Sequence, residues 1–279
     1  METGTGSSSH RRIYGVANRT AGGYGKTSGD SEDGADTVTF IYPDCFPENI
    51  KAIMTTRNGG ISCDKYASLN IASHVNDNAE AVAQNRKILK QQLSLPAEPK
   101  WLNQVHGTEI IELNHNTPIN LDADASLTKG QGVICAVMTA DCLPVLISDT
   151  QGTIVAAVHC GWRSLAGGIL QKTLDKMMIA AEETIVWFGA AIGAEAFEVG
   201  EDVRLAFTEI DPKLQTAFQT KPNNKYLADI YQLATGILNN YGIYNISGGN
   251  LCTVNDKERF YSYRRDGQTG RMASLIWIG

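Results

Sequence analysis

The chain of 279 residues carries a formal net charge of −6, 43% hydrophobic residues, five histidines and six cysteines. That length suits one large domain or two small ones with enough apolar content for a core, and the acidic balance excludes a nucleic-acid binder that works through a basic face. No apolar run approaches the ~20 residues of a membrane span, the cysteines form no CxxC pair, and no two histidines lie within two residues of each other, so a membrane anchor, a disulfide scaffold and a multicopper centre of His-x-His pairs all drop out.

Residues 1–36 are rich in Gly, Ser and Thr and poor in large apolar side chains. Such a segment buries too little surface to offset chain entropy, which predicts a disordered leader before a folded domain over 37–279. Strands are predicted at 38–42 and 52–56. A helix is predicted over 79–93, where Val82, Leu89 and Leu93 share a face with Ile88 beside them, and Pro96 and Pro99 close it. Strands at 132–138, 145–148 and 153–158 follow, the last two joined by a turn at 149–152. After Gly161, Leu165, Ile169, Leu170, Leu174 and Met177 recur at helical spacing and predict one helix reaching 177. A strand at 185–192, a helix over 226–241 stopped by Gly242, and a strand at 272–278 complete the set. The hairpin argues against a doubly wound parallel sheet. The expected fold class is α+β, a single domain with a mixed, layered β-sheet core flanked by helices.

Three short segments set chemically capable residues at the ends of apolar runs: Asn103-Gln104-Val105-His106-Gly107, Thr139-Ala140-Asp141-Cys142-Leu143-Pro144 and His159-Cys160-Gly161-Trp162-Arg163. One imidazole from each outer segment and one thiolate from the middle one make a His-Cys-His set, His106, Cys142 and His159. Zinc accepts that mixture, and three protein ligands leave a fourth tetrahedral position open for chemistry. The same residues admit another reading, a nucleophilic Cys142 activated by His159 or His106 with Asp141 or Asn103 orienting the imidazole. Spacing does not separate the two.

The strings NQVHG, TADCLPVLISD, VHCGWRSLAGGIL and FYSYRRDGQTGRMASLIWI, supported by TTRNGGIS and YASLNIASHVNDN, resemble the YfiH-type laccase-domain family, also called the polyphenol oxidase or purine nucleoside phosphorylase family. The resemblance runs from about residue 40 to the C-terminus and implies a single α+β catalytic domain. It implies His106, Cys142 and His159 as metal ligands, usually for zinc. It further implies phosphorolysis of adenosine, inosine and S-methyl-5′-thioadenosine, with adenosine deamination as a side activity. Cys160 departs from the family pattern, in which a small residue is expected. An extra thiol there is either inert packing or a second soft ligand that would favour copper.

Phosphorolysis needs an anion site, and guanidinium groups suit it through planar bidentate donation. Arg57 in a glycine-bearing loop, Arg163 four residues after His159, and Arg264 before the Asp266-Gly267 turn are the candidates, with Asn103 and Gln104 added from the first segment. Asp141 is the candidate acid or base, or a group that positions Cys142. Trp162, Phe260, Tyr261 and Tyr263 are purine-stacking candidates, although aromatics beside strands more often belong to the core. His74 and His115 lack the strand-end setting and are expected to be ordinary polar residues. The leading expectation is a cytoplasmic zinc enzyme whose partners are purine nucleosides and phosphate, with no nucleic acid, membrane or obligate protein partner. Copper-dependent phenol oxidation is the alternative, and a cysteine hydrolase using Cys142 and His159 is the third.

Overall fold

The computed structural model describes residues 38–279; the leader expected at 1–36 lies outside the described residues. Two sheets make the frame. A four-stranded antiparallel sheet has the order β1 (Phe40–Ile41), β2 (Ile50–Thr55), β13 (Met272–Ile278), β5 (Cys135–Thr139). A six-stranded mixed sheet has the order β12 (Ile246–Gly248), β8 (Thr184–Phe188), β6 (Leu143–Asp149), β7 (Val155–Cys160), β4 (Ala125–Thr128), β3 (Ile110–Glu112). Its interior pairings are antiparallel, including the β6–β7 hairpin expected from the sequence, while its two edge strands pair in parallel. A small antiparallel sheet of β10 (Phe218–Lys221), β11 (Lys225–Ala228) and β9 (Glu198–Gly200) stands apart.

Side-chain alternation explains the layering, because successive residues of a strand face opposite sides. On β13, Met272, Ile276 and Ile278 join the core between the two large sheets, whereas Ala273, Leu275 and Trp277 join a second core on the outer face. On β7, Val155 and Ala157 face the inter-sheet core, and Ala156, Val158 and Cys160 face the helices. The outer core of the four-stranded sheet is closed by α1 (Ala79–Gln92) through Leu89, together with Leu69, Ile71 and Trp101. The outer face of the six-stranded sheet is closed by α3 (Ile169–Met177), α4 (Glu201–Thr208) and α5 (Ile230–Asn240). Each fully buried Leu, Ile or Phe in these layers contributes roughly 1.5–3 kcal/mol. The α+β class and the layered mixed-sheet core with flanking helices are as expected.

Two helices depart from the periodicity reading. The segment after Gly161 is not one helix: α2 (Trp162–Ala166) ends at Gly167-Gly168, and α3 starts afresh. Gly168 has φ 87°, left-handed backbone that a glycine adopts without penalty, and this re-aims the chain while the apolar spacing continues through it. The helix expected over 226–241 begins only at Ile230. Residues 225–228 pair with β10 and β9 instead, and Asp229 caps the helix by accepting from the Tyr231 and Gln232 amides. Asn223 and Asn224, with φ 60° and 53°, form the tight turn that commits β11 to its hairpin. The final short helix, α6 (Tyr263–Asp266), is capped by Ser262 and carries Arg264.

Candidate metal centre and its cavity

The three chemically marked segments meet at one end of the two-sheet frame. His159 has the same parity on β7 as Val155 and Ala157, so its ring emerges on the inter-sheet side at the strand's end. Cys142 immediately precedes Leu143, and Leu143 and Pro144 of β6 pair with Cys160 and His159 of β7. His106 lies in the loop before β3, with φ 58°. The Cys142 Sγ is 3.7 Å from His106 Nε2, the two imidazole rings lie 4.8 Å apart at 76°, and one ligand atom from each of the three residues falls within 4.8 Å of the others. His159 is buried, Cys142 half-buried and His106 exposed, which leaves one side of the cluster open.

Asp124 builds the cluster although sequence reasoning passed over it. Its Oδ1 lies 2.7 Å from His159 Nδ1, so the Nε2 of that ring is the atom left to face a ligand. The same carboxylate accepts backbone N–H bonds from Val105, His106 and Gly107, and the Asp124 carbonyl accepts from the His159 amide at 2.7 Å. One buried side chain therefore fixes the loop bearing one histidine and the ring of the other. Burial by itself would raise this carboxyl, but the His159 and backbone hydrogen bonds outweigh it and hold it below the usual carboxylate range. Partial burial likewise opposes a thiolate at Cys142. The His159 charge and hydrogen bonds from both imidazoles win, bringing Cys142 down to about 6. The partner effect raises His159 to about 9: burial pulls it down, and the Cys142 thiolate and Asp124 more than reverse this.

The residues suit a metal. A neutral Nε2 backed by a carboxylate, a thiol already inclined to ionise and a second imidazole form a borderline-soft three-ligand set with its rings pre-oriented. Gly161 makes the approach possible. A Cβ there would sit 2.7 Å from His106 Cδ2 and 3.3 Å from Cys142 Sγ, so any side chain would push the imidazole out of the cluster. Cys160 is not part of the group. It points to the helix-side core, fully buried, and desolvation, with Cys142 and Asp124 nearby, keeps its thiol well above the usual range.

The cluster forms one wall of a cavity of about 440 Å³. Of the residues singled out from the sequence, Gln104, Asp141, Trp162, Arg163, Tyr263 and Arg264 also line it. Gln104 acts as a strut, donating to the Met138 carbonyl at 2.9 Å and accepting from the Met138 amide at 2.7 Å. Asp141 sits at φ 94°, and its carboxylate accepts from Thr253 Oγ1 at 2.5 Å and the Arg264 amide at 2.6 Å. Asp141 therefore ties α6 to the ligand-bearing turn and does not orient an imidazole. Arg163 stacks on Trp162, 4.3 Å from the ring centre, and Arg264 donates to the Ala196 carbonyl and lies over Phe197.

Four expected residues are not brought to the cavity. Asn103 is exposed and donates to Asp122 at 2.6 Å. Arg57 donates to the Ala67 and Lys257 carbonyls and stacks on Tyr261, and Tyr261 and Phe260 are fully buried core. Conversely, His74, expected to be an ordinary polar residue, and Arg271, not singled out at all, both line the wall. No nearby spacing flagged either one; the antiparallel pairing of β13 with β5 and β2 carries Arg271 to the site.

Comparison with known proteins identifies the family. Residues 51–279 match the family model described as multi-copper polyphenol oxidoreductase laccase. A Haemophilus influenzae protein named purine nucleoside phosphorylase is 50% identical over 234 residues, covering 83% of this chain and 96% of its own. The Escherichia coli purine nucleoside phosphorylase YfiH is 48% identical over 232 residues, covering 83% and 95%. Among solved structures, a Neisseria meningitidis protein superposes with a TM-score of 0.83 at 49% identity, over 86% of this chain and 98% of that one. No helix among the described residues is long and apolar enough to cross a membrane. With its fold, its clustered His-Cys-His set and a match spanning most of its length, this chain belongs to the YfiH-type laccase-domain family.

Proposed function

We propose that this protein is a cytoplasmic, zinc-dependent purine nucleoside phosphorylase acting on adenosine, inosine and S-methyl-5′-thioadenosine, with adenosine deamination as a side activity. The observation that carries the reading is the pre-oriented His106, Cys142 and His159 set on the wall of a cavity that is apolar at Ile192, Phe197 and Ile230 and cationic elsewhere. A purine suits the apolar side, and phosphate suits the cationic one. In phosphorolysis a phosphate oxygen bonds to C1′, the C1′–N9 bond breaks, and the purine leaves with its electron pair and takes up a proton. Zinc, held by His106, Cys142 and His159, would supply electrophilic polarisation of an oxygen and lower the pKa of bound water, the property that deamination requires.

The chain's own residues position the reactants. Asp124 holds His159 and the 105–107 loop. Gln104 fixes that loop to the end of β5. Asp141 suits a positioning role better than acid or base catalysis, since both carboxylate oxygens already accept hydrogen bonds. Arg163 and Arg264, which line the cavity, suit charge stabilisation of the substrate anion.

Copper-dependent phenol oxidation is the second reading, kept open by a ligand set that copper also accepts. It is weakened by there being one three-residue ligand group among the described residues, against the several coppers of a multicopper oxidase. The cysteine hydrolase reading uses the same Cys142 and His159 without metal. Metal analysis of purified protein, paired with an assay for ribose 1-phosphate from inosine and phosphate, tests all three. His159→Ala is expected to abolish metal binding and ribose 1-phosphate release together. Full phosphorolysis by metal-free protein would overturn the zinc reading, phenol turnover that requires copper would favour the second, and a covalent Cys142 adduct in metal-free protein the third.

A further inference from the structure

The cavity lining also includes a half-buried arginine that forms no salt bridge with a carboxylate among the described residues. Arg271 precedes β13, and its backbone is pinned on both sides: its amide donates to Asn70 Oδ1 at 3.0 Å, and its carbonyl accepts from the Ile71 amide. Its Nη1 donates to the Thr269 and Gly270 carbonyls at 2.8 and 2.9 Å. A guanidinium has five N–H donors in a planar fork. The Nε and Nη2 donors of Arg271 find no acceptor among the described residues. Close packing leaves this segment little room to shift, since a Cβ on Gly270 would lie 2.7 Å from the Tyr261 ring.

His74 lines the same cavity on the segment that Asn70 and Ile71 anchor to Arg271. Desolvation, then the charges of Arg271 and Arg86, push its imidazole below the usual range, so at neutral pH it brings a neutral N–H to the same cavity. Burying the Arg271 guanidinium is costly, the Cys142 and Asp141 charges offset the cost only in part, and an anion that accepts its free fork would offset the rest. The other two cavity arginines are braced on aromatic rings, Arg163 4.3 Å from the Trp162 ring centre and Arg264 5.8 Å from that of Phe197, and Arg57 is outside the cavity.

We propose that Arg271, assisted by His74, is the anion anchor of this cavity and holds inorganic phosphate through the Nε and Nη2 face of its guanidinium. The proposal deepens the phosphorylase reading and rests on it for the identity of the anion. It makes Arg271 a substrate-contacting residue and not only a brace for the 269–270 carbonyls.

The test uses the full, zinc-loaded chain with inorganic phosphate as the probe. Arg271→Gln and His74→Ala are measured for phosphate KM, inosine KM and phosphate Kd by calorimetry. The expected result is a rise of at least about tenfold in phosphate KM and Kd for Arg271→Gln, a smaller rise for His74→Ala, and an inosine KM within about twofold of wild type. Should Arg271→Gln fail to fold, Arg271→Lys keeps the charge but loses the fork, and it should show the same selective loss in weaker form. An unchanged phosphate Kd in folded Arg271→Gln or Arg271→Lys overturns the proposal, as does a rise confined to inosine KM. If wild type binds phosphate in an Arg271-dependent way yet releases no ribose 1-phosphate, the anchor stands and the phosphorylase reading falls. If wild type binds no phosphate while it turns over inosine, the anchor alone falls.

Discussion

The two walls of the cavity are built on opposite principles. The ligand wall, from 103–107, 139–144 and 159–163, is a self-compensated polar cluster in which Asp124, His159 and Cys142 hold each other's charge states. The His74 and Arg271 wall is only partly compensated: its arginine has free donors and no carboxylate salt bridge among the described residues, and the Cys142 and Asp141 charges offset its burial only in part. A compensated cluster keeps its geometry without a bound group, whereas a partly compensated one is completed by its ligand. The first kind suits a resident metal and the second a substrate that comes and goes.

The sharpest way to break this contrast is to remove a ligand from the compensated wall. His159→Ala should reduce metal content and turnover to background, whereas Arg271→Gln should leave metal content unchanged; elemental analysis of both variants checks it. Asp124→Asn is next. It keeps the shape but removes the charge, and metal affinity is expected to drop about 10–100-fold, as for other carboxylates that orient a metal-bound histidine. Loss of a buried paired charge should also destabilise the protein, by about 3–5 kcal/mol, measurable by denaturant unfolding. Gly161→Ala should lower metal affinity by displacing the His106 ring and should shift the unfolding midpoint much less than Asp124→Asn does.

The mutual charge stabilisation has a pH signature. In metal-free protein, Cys142 alkylation should rise through about pH 6, well below an ordinary thiol, and His159→Ala should move that rise upward. The sign for stability follows for each group. Cys142 is lowered on folding, so its contribution is complete above the unfolded thiol pKa and is lost as pH falls through about 6. His159 is raised, so its contribution is complete below the unfolded imidazole pKa and is lost as pH rises through about 9. The two contributions run in opposite directions across the interval from about 6 to 9, Cys142 growing and His159 shrinking as pH rises, so they largely offset and metal-free stability should vary little there; denaturant unfolding of the metal-free protein across that interval checks it.

The sequence makes the ligand wall readable and leaves the His74 and Arg271 wall obscure, for a physical reason. Few His and Cys residues exist in the chain, and metal chemistry restricts which of them serve, so strand ends bearing them stand out. The β6–β7 hairpin and the α1 periodicity are equally local signals. Arg271 and Asp124 depend on contacts that close only when distant segments pack: Arg271 on Asn70, Asp124 on the 105–107 amides and His159. Nothing in a window of neighbouring residues distinguishes either from a surface charge. The same limit explains the broken helix at Gly168 and the strand at 225–228, where a turn or a cap overrides continuing apolar spacing.

The smallest effect is expected at Arg57, and it separates motif from geometry. Flanking glycines suggest an anion loop, yet its Nε donates to the Ala67 carbonyl at 2.9 Å, Nη1 reaches the Lys257 carbonyl, and the guanidinium rests 4.7 Å over Tyr261. These contacts tie the 57–68 turn to the segment before α6, which is a structural task. Arg57→Ala should therefore leave phosphate KM within about twofold of wild type while lowering stability by about 1–3 kcal/mol, the cost of leaving the part-buried Ala67 carbonyl unpaired. Thermal unfolding and phosphate titration of the one variant suffice. A tenfold rise in phosphate KM with unchanged Tm would move the anion site from Arg271 to Arg57 and reverse the assignment of the two walls.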